Sequence, residues 1–167
     1  MYLTSKEANK ILKQYETELN SLLRQEENAS TFLASVGEDV ESCRPDYDYK
    51  ETQNKLLELE NKIIHLKHQI NLFNSSTIVE GFDMTIDSML IYIPQLTRRK
   101  NKLETMISTP PKAREGMGLR STIIDYRYTN YDVNDALEDY NKVSSELTKA
   151  QIALDKVNVN QKFDFDL

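Results

Sequence analysis

Apolar residues recur at a spacing of seven along two long stretches of this chain, which is the pattern of helices that pack lengthwise. The clearer stretch covers residues 56–73, about three heptads. Its two rows are Leu56, Ile63 and Ile70, and Leu59, Leu66 and Phe73. The second stretch covers residues 133–157, with the rows Val133, Tyr140, Leu147 and Leu154, and Ala136, Val143, Ala150 and Val157. The spacing predicts two long helices and leaves open whether their seams pack within one chain or between chains.

Capping residues predict where the helices begin. Thr4 and Glu7 have the spacing of a capping box, in which each side chain bonds the other residue's backbone N–H, so a first helix begins after Thr4. Asp48 precedes the helix that carries the first seam, and Asp132 precedes the helix that carries the second. Residues 31–48 form an acidic connector, in which residues 31–36 could be extended.

A further helix, third in chain order, is predicted over residues 85–108. Its inward side chains are expected to be Met89, Leu90, Ile93, Leu96, Leu103, Met106 and Ile107. Pro94 lies inside this stretch and has no N–H to donate, so we expect either a kink near Leu90 or a later start of the helix. Pro110 and Pro111 end it.

Two short segments have the alternation of strands. Residues 121–128 combine β-prone Ile123 and Ile124 with alternating polar and aromatic positions, and the C-terminal tail alternates Phe163 and Phe165 with polar residues. The two segments are candidates for pairing with each other. Because the chain has only four glycines and four prolines, we predict a mainly α fold. It would consist of long antiparallel helices, as a helical bundle or coiled-coil hairpins, with a small β element, in a single domain of residues 1–167.

Composition argues against several classes of partner. The chain has a formal net charge of −6 and a pI near 5.0, whereas DNA and RNA binders usually present a basic face. We therefore expect neither a nucleic acid nor a membrane as the partner. Cys43 is the sole cysteine, which excludes an intrachain disulfide and suits a reducing compartment. No segment resembles a signal peptide or a membrane span, so we expect a cytoplasmic protein of a bacterial cell.

The sequence contains no recognisable catalytic or metal-binding motif. His65 and His68 share a helix face, but a zinc site needs three or four ligands, and the only thiol is distant in sequence. The GMG at residues 116–118 is too short for a phosphate loop. The paired carboxylates of the helices are typical of solvated faces. We expect no cofactor, no metal and no enzymatic activity.

The composition of residues 109–133 predicts a ligand site, because arginine binds phosphate in a bidentate fashion and tyrosine stacks on flat ligands. This segment is locally positive in an acidic chain. The candidate binding residues within it are Arg114, Arg120, Tyr126, Arg127, Tyr128, Asn130 and Tyr131, and Arg98 and Arg99 of the preceding helix could join them. Two alternatives remain: the tyrosines could cover helix ends, and Arg98 and Arg99 could form an ordinary basic surface.

Several short motifs resemble the septicolysin-like family of helical bacterial and phage proteins. The run IIHLKHQINLFNSST at residues 63–77 is similar to that family's IxxINxxN motif, and Gly81 and Thr85 follow in its turn and helix-opening positions. Further matches are Arg120-Ser121-Thr122, Ile123-Ile124, Tyr131-Asp132-Val133, Gln151 and Asn158. The resemblance implies an oligomeric, long-helix protein. In general character such proteins resemble phage sponges that sequester nucleotide immune signals, and Asn71, Asn74 and Asn130 would then contact ribose hydroxyls.

Two functions follow as hypotheses. The first is a non-enzymatic, homo-oligomeric binding protein that captures a small nucleotide-like anion, in its narrowest form a phage anti-defence sponge for a cyclic ADP-ribose-type signal. The second is a structural or partner-binding coiled-coil protein without a small-molecule ligand, in which the acidic connector is a docking arm.

Overall fold

The computed structural model describes residues 1–114 and 125–165, and in this part the chain is mainly α-helical, as predicted. The helices are α1 (Ser5–Ala29), α2 (Val40–Cys43), α3 (Tyr49–Ser76), α4 (Ile86–Ser108) and α5 (Val133–Asn160). The strands are β1 (Tyr2–Thr4), β2 (Ile78–Val79), β3 (Met84–Thr85), β4 (Lys112–Arg114), β5 (Tyr126–Tyr128) and β6 (Lys162–Asp164). The strands pair antiparallel as β1 with β6, β2 with β3, and β4 with β5. The chain divides into two compact units, residues 1–76 with 158–167 and residues 77–157.

The predicted capping box is present at the start of α1. The Thr4 hydroxyl accepts a hydrogen bond from the Glu7 N–H at 3.2 Å, and the Glu7 carboxylate accepts one from the Thr4 N–H at 2.9 Å. The bond from the Thr4 backbone lowers the pKa of the Glu7 carboxyl. Asp48 caps α3 in a similar way, because its carboxylate accepts the Glu51 N–H at 3.0 Å. These helix starts were therefore predicted correctly from local signals.

The first unit is built on the antiparallel pair of α1 and α3. All six residues of the first predicted seam are buried in the single chain, so this seam packs within the chain. Its C-terminal part joins a core of Leu3, Ala8, Leu66, Ile70 and Phe165. A salt bridge of 2.7 Å between Lys67 and Glu16 follows the same antiparallel pairing.

The C-terminal strand has a different partner from the candidate named above. β6 pairs with β1, with Leu3 opposite Phe163, whereas Tyr126–Tyr128 pair with β4. The rest of the predicted segment, residues 121–124, lies outside the described residues. The Met1 ammonium group donates to the Phe165 carbonyl at 2.8 Å and to the Asp164 carboxylate at 3.1 Å. The alternation of Phe163 and Phe165 identifies a strand but carries no information about its partner. That choice follows from the burial of Phe165 in the core beneath β1.

The second unit contains the antiparallel pair of α4 and α5. The Tyr92 hydroxyl donates to the Glu146 carboxylate at 2.6 Å, and the Tyr131 hydroxyl donates to the Met106 carbonyl at 2.7 Å, so the two helices run in opposite directions. Six of the eight residues in the second predicted seam are buried, while Val133 and Tyr140 are half-buried. This seam is likewise covered by the chain itself.

Two expectations about α4 are corrected. The helix begins at Ile86, after the N-cap Thr85, and continues through Pro94, so of the two alternatives named for Pro94 the later start is wrong. Leu90, predicted to face inward, is 50% exposed. The buried positions Ile86, Met89, Leu96 and Leu103 follow a heptad pattern, and Leu90 lies beside that stripe. Within the described residues, no helix has the length and apolarity needed to cross a membrane.

Candidate functional site

α4 ends at its C-cap Thr109, and two prolines follow it. Thr109 donates its N–H to the Met106 carbonyl at 3.3 Å and its hydroxyl to the Thr105 carbonyl at 2.8 Å. Both bonds satisfy carbonyls of the last helical turn, which lack the usual partner four residues further on. Pro110 and Pro111 cannot continue the helix, and the chain enters β4 directly after them.

β4 and β5 form a two-stranded ribbon. Lys112 is opposite Tyr128, Ala113 is opposite Arg127, and Arg114 is opposite Tyr126. Because side chains alternate between the faces of a strand and cross-strand partners share a face, the register sorts these residues into two sets. Lys112, Arg114, Tyr126 and Tyr128 lie on one face, which we call the ribbon face, and Ala113 and Arg127 lie on the other.

Cationic and aromatic groups are in direct contact on the ribbon face. The Lys112 ammonium lies 4.2 Å from the ring centroid of Tyr126 and 5.5 Å from that of Tyr128. The two ring centroids are 6.5 Å apart, with an interplanar angle of 49°. Tyr126 is 46% exposed and Tyr128 is 61% exposed, so both rings present area to solvent. The arrangement offers two cations for an anionic group and two rings for a planar one.

Tyr131 has a structural role that sequence reasoning named only as an alternative. Its hydroxyl donates to the Met106 carbonyl at 2.7 Å across 25 positions of the chain, and its side chain is half-buried. The bond links the end of α4 to the segment before α5. Tyr131 therefore holds the base of the ribbon and does not lie on the ribbon face.

Replacing Tyr131 with phenylalanine should lower the free energy of unfolding by about 0.5–1.5 kcal/mol, the usual net contribution of one hydrogen bond. The ring would still pack, but the Met106 carbonyl would lose one donor. Urea unfolding followed by circular dichroism measures the change. The same substitution at Tyr128, whose ring is largely exposed, is the control and should change stability by less than about 0.5 kcal/mol. Equal effects at both positions would contradict this role for Tyr131.

Arg98 and Arg99 lie on α4, away from the strands. Arg99 is about 14 Å along the helix axis from the end of α4 at Ser108, and its guanidinium lies 3.9 Å from the Asp139 carboxylate. It lines a groove of about 240 Å³ in which Tyr92 is hydrogen-bonded to Glu146. That bond to Glu146 raises the pKa of the Tyr92 hydroxyl. Arg99 thus takes part in the pairing of α4 with α5.

The remaining candidate residues are dispersed. Asn71 and Asn74 lie on α3, in the first unit. Asn130 is exposed in the segment before α5. Arg127 lies on the face of the ribbon opposite to the ribbon face. Arg120 lies outside the described residues. Of the predicted set, the structure brings together Arg114, Tyr126 and Tyr128.

Lys112 is the ribbon-face residue that the sequence-based candidate set omitted. It belongs to the same basic segment, but its place beside the tyrosines depends on the register of β4 with β5. Two signals could have found it. Lys112 and Arg114 are two positions apart, as are Tyr126 and Tyr128, and this is the spacing of one strand face.

No group of three or more histidine, cysteine, aspartate or glutamate residues in the described part of the chain could hold a metal ion. His65 instead packs its ring 5.5 Å from that of Phe165.

Comparison with known proteins supports the fold alone. No protein-family model matches the chain, and no curated protein matches it. The chain is similar to a solved structure described as a functionally unknown conserved protein from Corynebacterium diphtheriae, with a TM-score of 0.63 and 15% sequence identity. The match covers 98% of this chain and 100% of that one. A protein of low sequence identity therefore shares this fold.

Proposed function

We propose that this protein is a non-enzymatic binding protein that holds a small nucleotide-like anion on the ribbon face. The observation that carries the proposal is the contact of Lys112 with the exposed rings of Tyr126 and Tyr128, with Arg114 opposite Tyr126. Cationic and aromatic groups are thus concentrated on one small face of an acidic chain.

The cations supply the anion-binding part of the site. Arg114 presents a planar fork that matches phosphate oxygens, and Lys112 presents a compact point charge with three donors. Both side chains are exposed, so neither has to leave a buried position to meet a ligand. A phosphate or pyrophosphate group between them would form charge-assisted hydrogen bonds, which are about twice as strong as neutral ones.

The tyrosine rings supply the part of the site that binds a base. Stacking of a base on an aromatic side chain contributes about 1–3 kcal/mol and depends little on which base is bound. The Lys112 ammonium covers part of both rings. A nucleotide would draw this ammonium toward its phosphate and leave the ring faces to its base. The ribbon face should therefore prefer nucleotides to inorganic anions or uncharged nucleosides.

The test is calorimetric titration of the protein with ADP, with cyclic ADP-ribose isomers, and with pyrophosphate and adenosine as the separate halves. We expect Arg114→Ala to weaken nucleotide binding by about tenfold to 150-fold and Tyr126→Ala by about fivefold to 150-fold, given about 1.5–3 kcal/mol for a bond to a charged group and about 1–3 kcal/mol for a stacked base. Tyr126→Phe keeps the ring and should keep most of the affinity.

Arg24→Ala is the matched control, because it removes an exposed arginine of α1 and changes the net charge equally. Its affinity should equal that of the unaltered protein. Absence of binding by every nucleotide tested would rule out the proposal, and so would equal affinities for Tyr126→Ala and Tyr126→Phe.

In its narrowest form the proposal is a homo-oligomeric sponge that sequesters a cyclic ADP-ribose-type signal in an infected bacterial cell. Its support is the sequence resemblance together with the ribbon face, and tighter binding of cyclic ADP-ribose isomers than of ADP would favour it. The alternative is a partner-binding coiled-coil protein. Both heptad seams are covered within the chain, so a protein partner would have to use other surfaces. If none of the nucleotides bound in the titrations and a protein co-purified with the chain, this alternative would be favoured.

A further inference from the structure

The connector of residues 31–48 exposes aliphatic side chains to an unusual degree. Leu33 is 96% exposed, Val36 is fully exposed, and Val40 at the start of α2 is half-exposed. Isolated exposed aliphatic residues are common on protein surfaces. Here, however, they occur within one short segment, and burial of such side chains against a partner would be favourable.

The connector is held in this conformation by its own contacts. The Ser35 N–H donates to the Glu38 carboxylate at 2.7 Å, and Arg44 donates to both oxygens of Glu41 at 2.9 and 2.8 Å. The Arg44 guanidinium also lies 5.3 Å from the ring centroid of Phe32. Because the segment is ordered before it meets a partner, docking requires little further loss of conformational entropy.

The connector is also strongly acidic. It carries five carboxylates, from Glu38, Asp39, Glu41, Asp46 and Asp48, against one arginine. The bond from the Ser35 N–H lowers the pKa of the Glu38 carboxyl, and the bond from Arg44 lowers that of Glu41, so both remain charged at neutral pH. A surface that covers Leu33 and Val36 must therefore be apolar or aromatic and bear positive charge.

The ribbon face has that chemistry. Its Lys112 and Arg114 are exposed cations, and the rings of Tyr126 and Tyr128 are exposed. We infer that the connector of one copy of this chain docks on the ribbon face of a second copy. The inference rests on the ribbon face of the proposed function and adds a second occupant for it. A nucleotide and the connector would then compete for the same cations.

Two variants test the contact from its two sides. Leu33→Ser with Val36→Ser removes exposed aliphatic groups, and Lys112→Glu with Arg114→Glu reverses exposed charges, so neither variant should impair folding. In sedimentation velocity the unaltered protein should self-associate, more weakly at high salt, and each variant should be monomeric. Ile64→Ser, which alters an exposed aliphatic residue of α3, is the control and should associate as the unaltered protein does.

Mixing the two variants is the decisive experiment. The first retains an intact ribbon face and the second an intact connector, so together they can form one complete contact. We expect a one-to-one complex from two monomeric components. The inference is overturned if the unaltered protein is monomeric, if the connector variant still associates, or if the mixture forms no complex.

The connector variant also separates this inference from the proposed function. It keeps all four residues of the ribbon face, so nucleotide binding can be measured on it without self-association. Binding by a chain that never associates would refute the inference alone. Association through these surfaces without nucleotide binding would refute the proposed function alone.

Discussion

Replacing Phe165 with alanine should lower the free energy of unfolding by about 3–5 kcal/mol, the usual loss when a buried phenylalanine is removed from a core. Phe165 is 2% exposed and belongs to the same core as Leu3, Leu66 and Ile70. Its ring centroid lies 5.5 Å from that of His65. Loss of this ring would leave a cavity beneath β1, where β1 pairs with β6. Urea unfolding followed by circular dichroism measures the effect.

Tyr2 provides the control for this substitution, because it lies in the same strand pair but is largely exposed. Tyr2→Ala should change the free energy of unfolding by less than about 1 kcal/mol. If Phe165→Ala were as mild as Tyr2→Ala, the C-terminal residues would not be part of the core. The C-terminal end of β6 would then be a surface addition to the pair of α1 and α3.

The helical part of the fold could be predicted because its signals are local and repeated. The first seam places an apolar residue at both core positions of each heptad from Leu56 to Phe73, and every one of these residues is buried. The capping box of Thr4 and Glu7 depends on residues three positions apart. Such signals need no knowledge of the rest of the chain.

The strand pairs could not be predicted to the same extent, because three-residue strands carry too little pattern to select a partner. The alternation of Phe163 and Phe165 predicts that β6 is extended, but its pairing with β1 depends on the burial of Phe165 in a core that forms between distant parts of the chain. β1 itself is only three residues long and lies directly before the α1 cap. Its strand character follows from the presence of β6.

For the candidate site, the composition could be predicted from the sequence, but the register of its two strands could not. The basic and aromatic character of residues 109–133 is visible in the sequence, and it pointed to Arg114, Tyr126 and Tyr128. Which cations share a face with the rings depends on the pairing of Lys112 with Tyr128. That pairing adds Lys112 to the face and places Arg127 on the opposite side. A shift of one residue would exchange these roles.

The second large effect is expected at Met89 in α4, where Met89→Ala should lower the free energy of unfolding by about 2–5 kcal/mol. Met89 is fully buried and lies one turn after Ile86, which is also buried. Alanine is a better helix former than methionine by a small margin, so the loss would come from the cavity and not from the helix. Chemical unfolding of the two proteins under identical conditions measures the difference.

Leu90→Ala is the matched control, and the comparison tests how far an apolar sequence pattern determines burial. Leu90 is the next residue in the same helix, has a side chain of similar size and was also predicted to face inward, but it is 50% exposed. Its replacement should lower stability by less than about 1 kcal/mol, since about half of its apolar area is already in water. A helix turns by about 100° per residue, so the buried stripe that contains Met89 cannot also cover Leu90 completely. Equal losses at the two positions would mean that Leu90 is covered in solution, and an exposed face of α4 would then be an interface.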